Sequence, residues 1–128
     1  IQEQQMPVCT MDAYRRRIFD LKAALDKLPE AVYLTLDVDV FDWSVVHSTG
    51  TPEPGGLLWD EAMDLLHLIF FTKKVIGFDV VELAPNPHDI NSPFAVAKLI
   101  YKMLGFKLAA DVNRGLIEWP HQPCGNLF

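Results

Sequence analysis

Three aspartates close an apolar run in Leu34-Thr35-Leu36-Asp37-Val38-Asp39-Val40-Phe41-Asp42. Residues two apart on a strand project to one face. The spacing therefore predicts that Asp37 and Asp39 point together while Val38 and Val40 point away. Two carboxylates a few ångströms apart repel strongly. A cation between them removes that repulsion, and hard carboxylate oxygens suit Mg²⁺ or Mn²⁺. For D-x-D alone, an exposed acidic strand end is the competing reading. A turn-rich tract follows, Ser48-Thr49-Gly50-Thr51-Pro52-Glu53-Pro54-Gly55-Gly56-Leu57. Long loops in compact domains are usually functional.

The elements that must hold these residues follow from periodicity. Met11, Tyr14, Ile18, Leu21, Leu25 and Leu28 recur at three- and four-residue steps, the pattern of an amphipathic helix. Thr10 is its expected N-cap and Pro29 its stop. Residues 31–36 form a short apolar run and read as a buried parallel strand. Residues 60–71 read as a helix, with Asp60 and Glu61 suiting the positive end of its dipole. Residues 75–81 read as a second buried strand. A last helix is expected over 91–105, with Ser92 as N-cap, Pro93 at the first position and Gly105 just past the end. Val96, Leu99, Ile100, Met103 and Leu104 form its apolar face. Residues 109–128 show no period and read as an irregular tail. The order predicts an α/β fold, a three-layer α-β-α arrangement with a parallel sheet. Ligands in such sheets bind outside the carboxyl ends of the strands, where Asp37, Asp39 and Glu82 fall.

The motif D-V-D-V-F-D…S-T-G-T-P-E-P-G-G-L resembles the third metal-binding signature of the ureohydrolases: arginase, agmatinase and formiminoglutamase. The block Gly77-Phe78-Asp79-Val80-Val81-Glu82-Leu83-Ala84-Pro85 is similar to the family's D-x-x-E-x-x-P strand end. Residues 92–104 are similar to its last core helix. The match runs from about Ala31 to Gly105, and E-L-A-P is nearer the agmatinase branch than the E-x-N-P of arginases. The resemblance implies a partial arginase-like fold and manganese-dependent hydrolysis of a guanidino substrate to release urea. Agmatine to putrescine, a step of polyamine biosynthesis, leads; arginase and formiminoglutamase activities are the alternatives.

By the same resemblance, Asp37 bridges two Mn²⁺ ions, Asp39 ligates one, Glu82 pairs with the guanidinium and Thr51 helps position substrate. For Thr51, plain turn chemistry is the alternative. The family's remaining ligands come from G-G-x-H and D-x-H-x-D blocks. Neither occurs in this sequence, and His47, His67, His88 and His121 lack that context. Residues 1–128 therefore read as the C-terminal part of a single ureohydrolase catalytic domain, inactive by itself, whose intact parent is expected to be a homo-oligomer. Trp43 and His47 depart from the family's loop. Asp42 is expected to tether that loop through backbone N–H groups, and Asp79 to need a partner if buried. His67 reads as a packed or surface residue, and His88 with Asp89 as an exposed loop.

A hydrophobic fraction of 50% and a charged fraction of 22% fit a soluble globular protein. A net charge of −6 argues against a nucleic-acid surface. Arg15-Arg16-Arg17, the basic run, reads as the solvated face of a helix. No apolar run is long enough to span a bilayer, and with no signal peptide a cytoplasmic location is expected. Cys9 and Cys124 lack metal-site spacing and read as free thiols. Two other readings remain at this stage. In a haloacid-dehalogenase-like phosphatase the first Asp of D-x-D is a nucleophile and Mg²⁺ the cofactor, but the T-G-T-P-x-P-G-G tract then has no role. A non-catalytic fragment is the other.

Overall fold

A computed structural model describes residues 11, 15, 20–84 and 86–118. The elements are helix α1 (Leu21–Asp26), strand β1 (Ala31–Asp37), a 3-10 turn (Val38–Val40), helix α2 (Trp59–Thr72), strand β2 (Lys74–Val81) and helix α3 (Asn91–Asn113). β1 and β2 pair in parallel from Ala31 opposite Lys74 to Asp37 opposite Val81, with one register shift between Val32 and Tyr33. Parallel neighbours need a crossover connection, and α2 supplies it. The α/β class and the parallel pairing agree with the two short apolar runs.

Side chains alternate along β1, so its two faces differ. Leu34 and Leu36, with Phe78 and Val80 of β2, pack on a core containing Phe41, Leu66, Phe70, Leu99 and Met103. That core is built where α2 and α3 meet over the sheet. The other face carries Tyr33 and Thr35, both exposed. Gly77 faces Tyr33 across the strands; a Cβ there would come within 3.0 Å of the Tyr33 ring.

Three cations tie the ends of the layers. Arg114 donates through Nη2 to the carbonyls of Phe70 (2.9 Å) and Lys73 (2.8 Å). Lys73, itself buried, reaches the Leu28 carbonyl (2.9 Å). Lys107 donates to the Val75 carbonyl (3.0 Å) and to Asp111 (2.8 Å). The last carbonyls of a helix have no partner within it, and Arg114 satisfies those at the end of α2 from outside.

Several sequence expectations change. Met11 and Arg15 are helical, but Asp20 is extended (φ −88°, ψ 93°) and accepts the Ala23 N–H at 3.0 Å. It caps a new short helix, so the apolar period does not make one continuous helix to Leu28. Thr10 lies outside the described residues. α3 does not stop at Gly105; it runs to Asn113, because Met103, Phe106 and Ala110 continue its buried face. The tail expected to be irregular from Ala109 thus begins as helix, and its part from Trp119 lies outside the described residues. Ser92 is not the N-cap. It lies inside α3, fully buried, and the carboxylate of Asp89 takes the N–H groups of Asn91 and Ser92 instead.

Candidate functional site

β1 ends at Asp37, and the next three residues turn into a 3-10 helix rather than continuing the strand. Asp37 and Asp39 therefore do not project side by side from one strand face. Asp37 caps the turn instead: its Oδ1 accepts the Asp39 N–H at 2.9 Å. A carboxylate with one oxygen committed to a backbone N–H keeps the other free. Asp39 is turned back toward the loop, and its Oδ2 accepts the hydroxyl of Thr51. Its Oδ1 is buried and has no hydrogen-bond partner. A buried carboxylate oxygen without a donor is costly. A cation is the species that would satisfy it, and Asp37 is the neighbouring carboxylate able to share one. Among the described residues, no group of three or more His, Cys, Asp or Glu side chains converges as a metal cluster.

Glu82 lies one residue beyond β2, next to the end of β1 because Asp37 and Val81 are register partners. Its φ is +68°, the left-handed region that a side chain with a Cβ seldom occupies. Strain of this kind persists where the surroundings over-determine it. The side chain is turned toward the loop: a Cβ added at Gly50 would lie 3.9 Å from Glu82 Oε2. Two further contacts pin the loop to this strand exit. Thr49 bridges Leu83, and the Ala84 N–H donates to the Ser48 carbonyl at 2.9 Å. Asp39, Thr51, Gly50 and Glu82 are thereby brought together.

The tract between Phe41 and Leu57 is held by its own polar groups. Asp42 Oδ1 accepts the Ser44 N–H (3.0 Å) and hydroxyl (2.5 Å), and its Oδ2 accepts the Gly55 N–H (2.7 Å). This is the tethering expected of Asp42. The Ser44 hydroxyl foremost, then the two N–H groups, hold its carboxyl below the usual range. Arg15 clamps the same turn, donating to the carbonyls of Gly55 (3.1 Å) and Gly56 (2.6 Å) and pairing with Glu61 (3.2 Å).

His47, Ser48, Asp89 and Ser92 form a second, deeper network. Asp89, a buried residue, accepts the Ser48 hydroxyl at Oδ2 (2.5 Å), with His47 Nε2 at 3.2 Å from the same oxygen. Ser92 Oγ accepts the N–H groups of His47 (3.1 Å) and Ser48 (3.2 Å). Hydrogen bonds, the Ser48 hydroxyl first, hold the Asp89 carboxyl far below the usual range. Asp89 is thus not part of an exposed loop as expected, whereas His88 is exposed. The sequence did hold a signal, since Asp before an apolar-periodic segment is a common cap.

The remaining candidates are more ordinary. His67 stacks on Phe71 (4.4 Å between centroids) and meets the edge of Phe106 (5.6 Å), the packing role expected of it. Asp79 Oδ1 is buried and unpartnered. Loss of hydration first, and the Asp79 charge second, push the Tyr33 phenol up. His121, Cys9 and Cys124 lie outside the described residues.

Comparison with known proteins places the chain in a family. The family model described as the Arginase family matches residues 1–105. The chain is 47% identical over 77 residues to the N(1)-aminopropylagmatine ureohydrolase of Synechocystis sp., covering 60% of this chain and 25% of that protein. It is 42% identical over 81 residues to the agmatinase of Pyrococcus horikoshii, covering 63% of this chain and 29% of that protein. A solved Trypanosoma cruzi formiminoglutamase, described with Mn²⁺, superposes with a TM-score of 0.60 at 26% identity, covering 70% of this chain and 30% of that one. The chain thus spans between a quarter and a third of the length of these relatives. With acidic strand ends, a tethered T-G-T-P loop and a family match over most of its length, this chain belongs to the arginase family, a family of ureohydrolases.

Proposed function

We propose that this chain carries part of the active site of a manganese-dependent ureohydrolase, with Asp37 and Asp39 as metal ligands and Glu82 and Thr51 as substrate-binding residues. The observation that carries the reading is the unpartnered, buried Oδ1 of Asp39, on a carboxylate whose other oxygen takes Thr51 and whose backbone N–H is held by Asp37. Bound manganese would supply a hydroxide at neutral pH by depressing the pKa of its water. The chain's own residues do the rest. Thr51 fixes the rotation of the Asp39 carboxylate. Glu82 offers two oxygens to two parallel N–H groups, the arrangement a guanidinium presents. Agmatine is the leading substrate. N(1)-aminopropylagmatine, which shares the guanidino end and appears in the name of a relative, is a second one.

The 128-residue chain holds only the Asp37–Asp39 pair of the family's ligands. We propose that by itself it binds Mn²⁺ weakly, forms no two-metal centre and does not turn over. Calorimetric titration with Mn²⁺ tests this, and tight uptake of two ions per chain would overturn it. In a protein of the relatives' length that contains these residues, Asp39→Asn is expected to lose metal and urea release together. Glu82→Gln is expected to keep metal and lose turnover by roughly 10²-fold or more, because an amide NH₂ then faces guanidinium donors. Metal content and urea release from both substrates and from arginine separate the two effects. Near-normal turnover in Glu82→Gln would remove Glu82 from the substrate clamp.

A further inference from the structure

Residues 47 to 51 form a continuous bridge between the start of α3 and the acidic strand ends. At the α3 end, His47 and Ser48 donate their N–H groups to the buried Ser92 hydroxyl, and the Ser48 side chain donates to Asp89. In the middle, the Ser48 carbonyl accepts the Ala84 N–H, and Thr49 bridges Leu83. At the far end, Gly50 lies against the Glu82 carboxylate and Thr51 donates to Asp39. Five consecutive residues thus link one buried carboxylate to both halves of the candidate site.

Ser48, His47 and Asp89 are the residue types of a nucleophilic relay, but their order is wrong for one. Such a relay needs the base between the hydroxyl and the acid. Here the Ser48 hydroxyl and His47 Nε2 both meet Asp89 Oδ2, at 2.5 and 3.2 Å, so the carboxylate occupies the middle. The imidazole holds the acid and not the hydroxyl, and the cluster cannot pass a proton from Ser48 to His47. What it can do is hold position. Asp89 Oδ1 takes two backbone N–H groups at the head of a 23-residue helix, and Oδ2 takes the loop. Its side chain is 3% exposed, so water offers little competition for these bonds.

We infer that Asp89 is the positioning residue of the carboxylate site: through Ser48 it fixes the 48–51 segment, which sets Thr51 on Asp39 and lays Gly50 against Glu82. The inference rests on the reading of Asp39 and Glu82 as metal and substrate residues. Asp89 touches neither ligand. It is placed to act on both through a loop that has few apolar anchors of its own.

The test uses the 128-residue chain and its Ser48→Ala and Asp89→Ala variants. Amide hydrogen exchange followed by NMR reads the latch. In both variants the Ala84 amide is expected to exchange about tenfold faster or more, while Leu36 and Phe78 in the strand ladder keep their rates. Unchanged protection at Ala84 would overturn the inference, as would an equal loss across the ladder, which marks a general packing residue. Ser48→Ala carries the test if Asp89→Ala does not fold. Mn²⁺ alone serves as the second probe. In the wild type it should broaden the Asp39 and Thr51 amide signals together; in the variants Asp39 should stay broadened and Thr51 recover. Equal broadening of both in the variants also counts against positioning. Absence of broadening in the wild type would sink the metal reading instead, and the exchange rates would still decide the latch.

Discussion

Glu82 and Asp39 are both set in states that folding alone does not favour. Glu82 holds a backbone angle that suits glycine, and Asp39 buries an oxygen with no donor. A non-glycine residue in the left-handed region costs roughly 1–2 kcal/mol. Glu82→Gly is therefore expected to raise the stability of the 128-residue chain by about 1 kcal/mol, the relief of strain exceeding the extra chain entropy of glycine. Urea unfolding checks this: the midpoint should rise with an unchanged slope. A lower midpoint would mean that the Glu82 side chain stabilises the fold and that its backbone angle is no sign of a site. None of this strain was legible beforehand. The acidic types and their order were, because D-x-D and E-L-A-P are local patterns. The turn of Asp39 away from the strand was not, because nothing in Val38-Asp39-Val40 distinguishes a continuing strand from a 3-10 turn until Asp37 caps it.

Elements deliver these residues through backbone contacts more than through side-chain packing. Phe41 bridges Leu57 in parallel, and the chain closes on itself there: Leu57 donates to the Val40 carbonyl at 2.8 Å, and Asp42 donates to the Leu57 carbonyl at 2.9 Å. Gly55 turns the chain with φ +85°, and a Cβ at Gly56 would fall 2.4 Å from the Phe41 carbonyl carbon. Backbone cannot yield as a flexible side chain can. Gly56→Ala is expected to cost about 1–3 kcal/mol and to pull the loop off the end of β1. Urea unfolding measures the cost, and loss of protection at the Leu57 amide locates it. A variant as stable as the wild type would show that the two strands of this loop can separate freely. The strands and α2 were readable in outline because each is a short periodic run between turn residues. The length of α3 was not. Gly105 resembled a terminator, but it sits mid-helix with nothing within 4 Å of its missing Cβ, and the buried face passes beneath it. Asp89 was misread for a related reason: its caps are local, to residues two and three further on, but its loop bond comes from Ser48, 41 residues away in sequence.

At the scale of the whole chain, the described residues leave much apolar surface open. The sheet has two strands, and a lone pair of strands is marginal in water. Its outer face shows Tyr33, 59% exposed, and Ile76 is 61% exposed. α3 adds a stripe on the side away from the core: Phe94, Tyr101, Leu104 and Leu108 are 71%, 75%, 55% and 40% exposed. Phe94, Tyr101 and Leu108 are seven apart, and Leu104 falls between them, the spacing that lets one helix lie along another. Contiguous apolar surface of this kind drives association, and unpaired strand edges add to it. The 128-residue chain is therefore expected to self-associate at tens of micromolar, sedimenting faster than a single chain. Replacing both Phe94 and Tyr101 by Glu should weaken that association about tenfold or more, since each exposed aromatic that becomes buried is worth roughly 1.5–3 kcal/mol. The substitutions lie on the exposed side of α3, opposite Leu99 and Met103, so the fold should survive them, and circular dichroism checks that it does. If the wild type sediments as a single chain at every concentration, the stripe is wetted without penalty and the openness of this face has no energetic consequence. If the wild type associates and the double variant does so equally, the contact runs through the strand edges, and Lys placed along Ala31–Asp37 becomes the substitution that should disperse it.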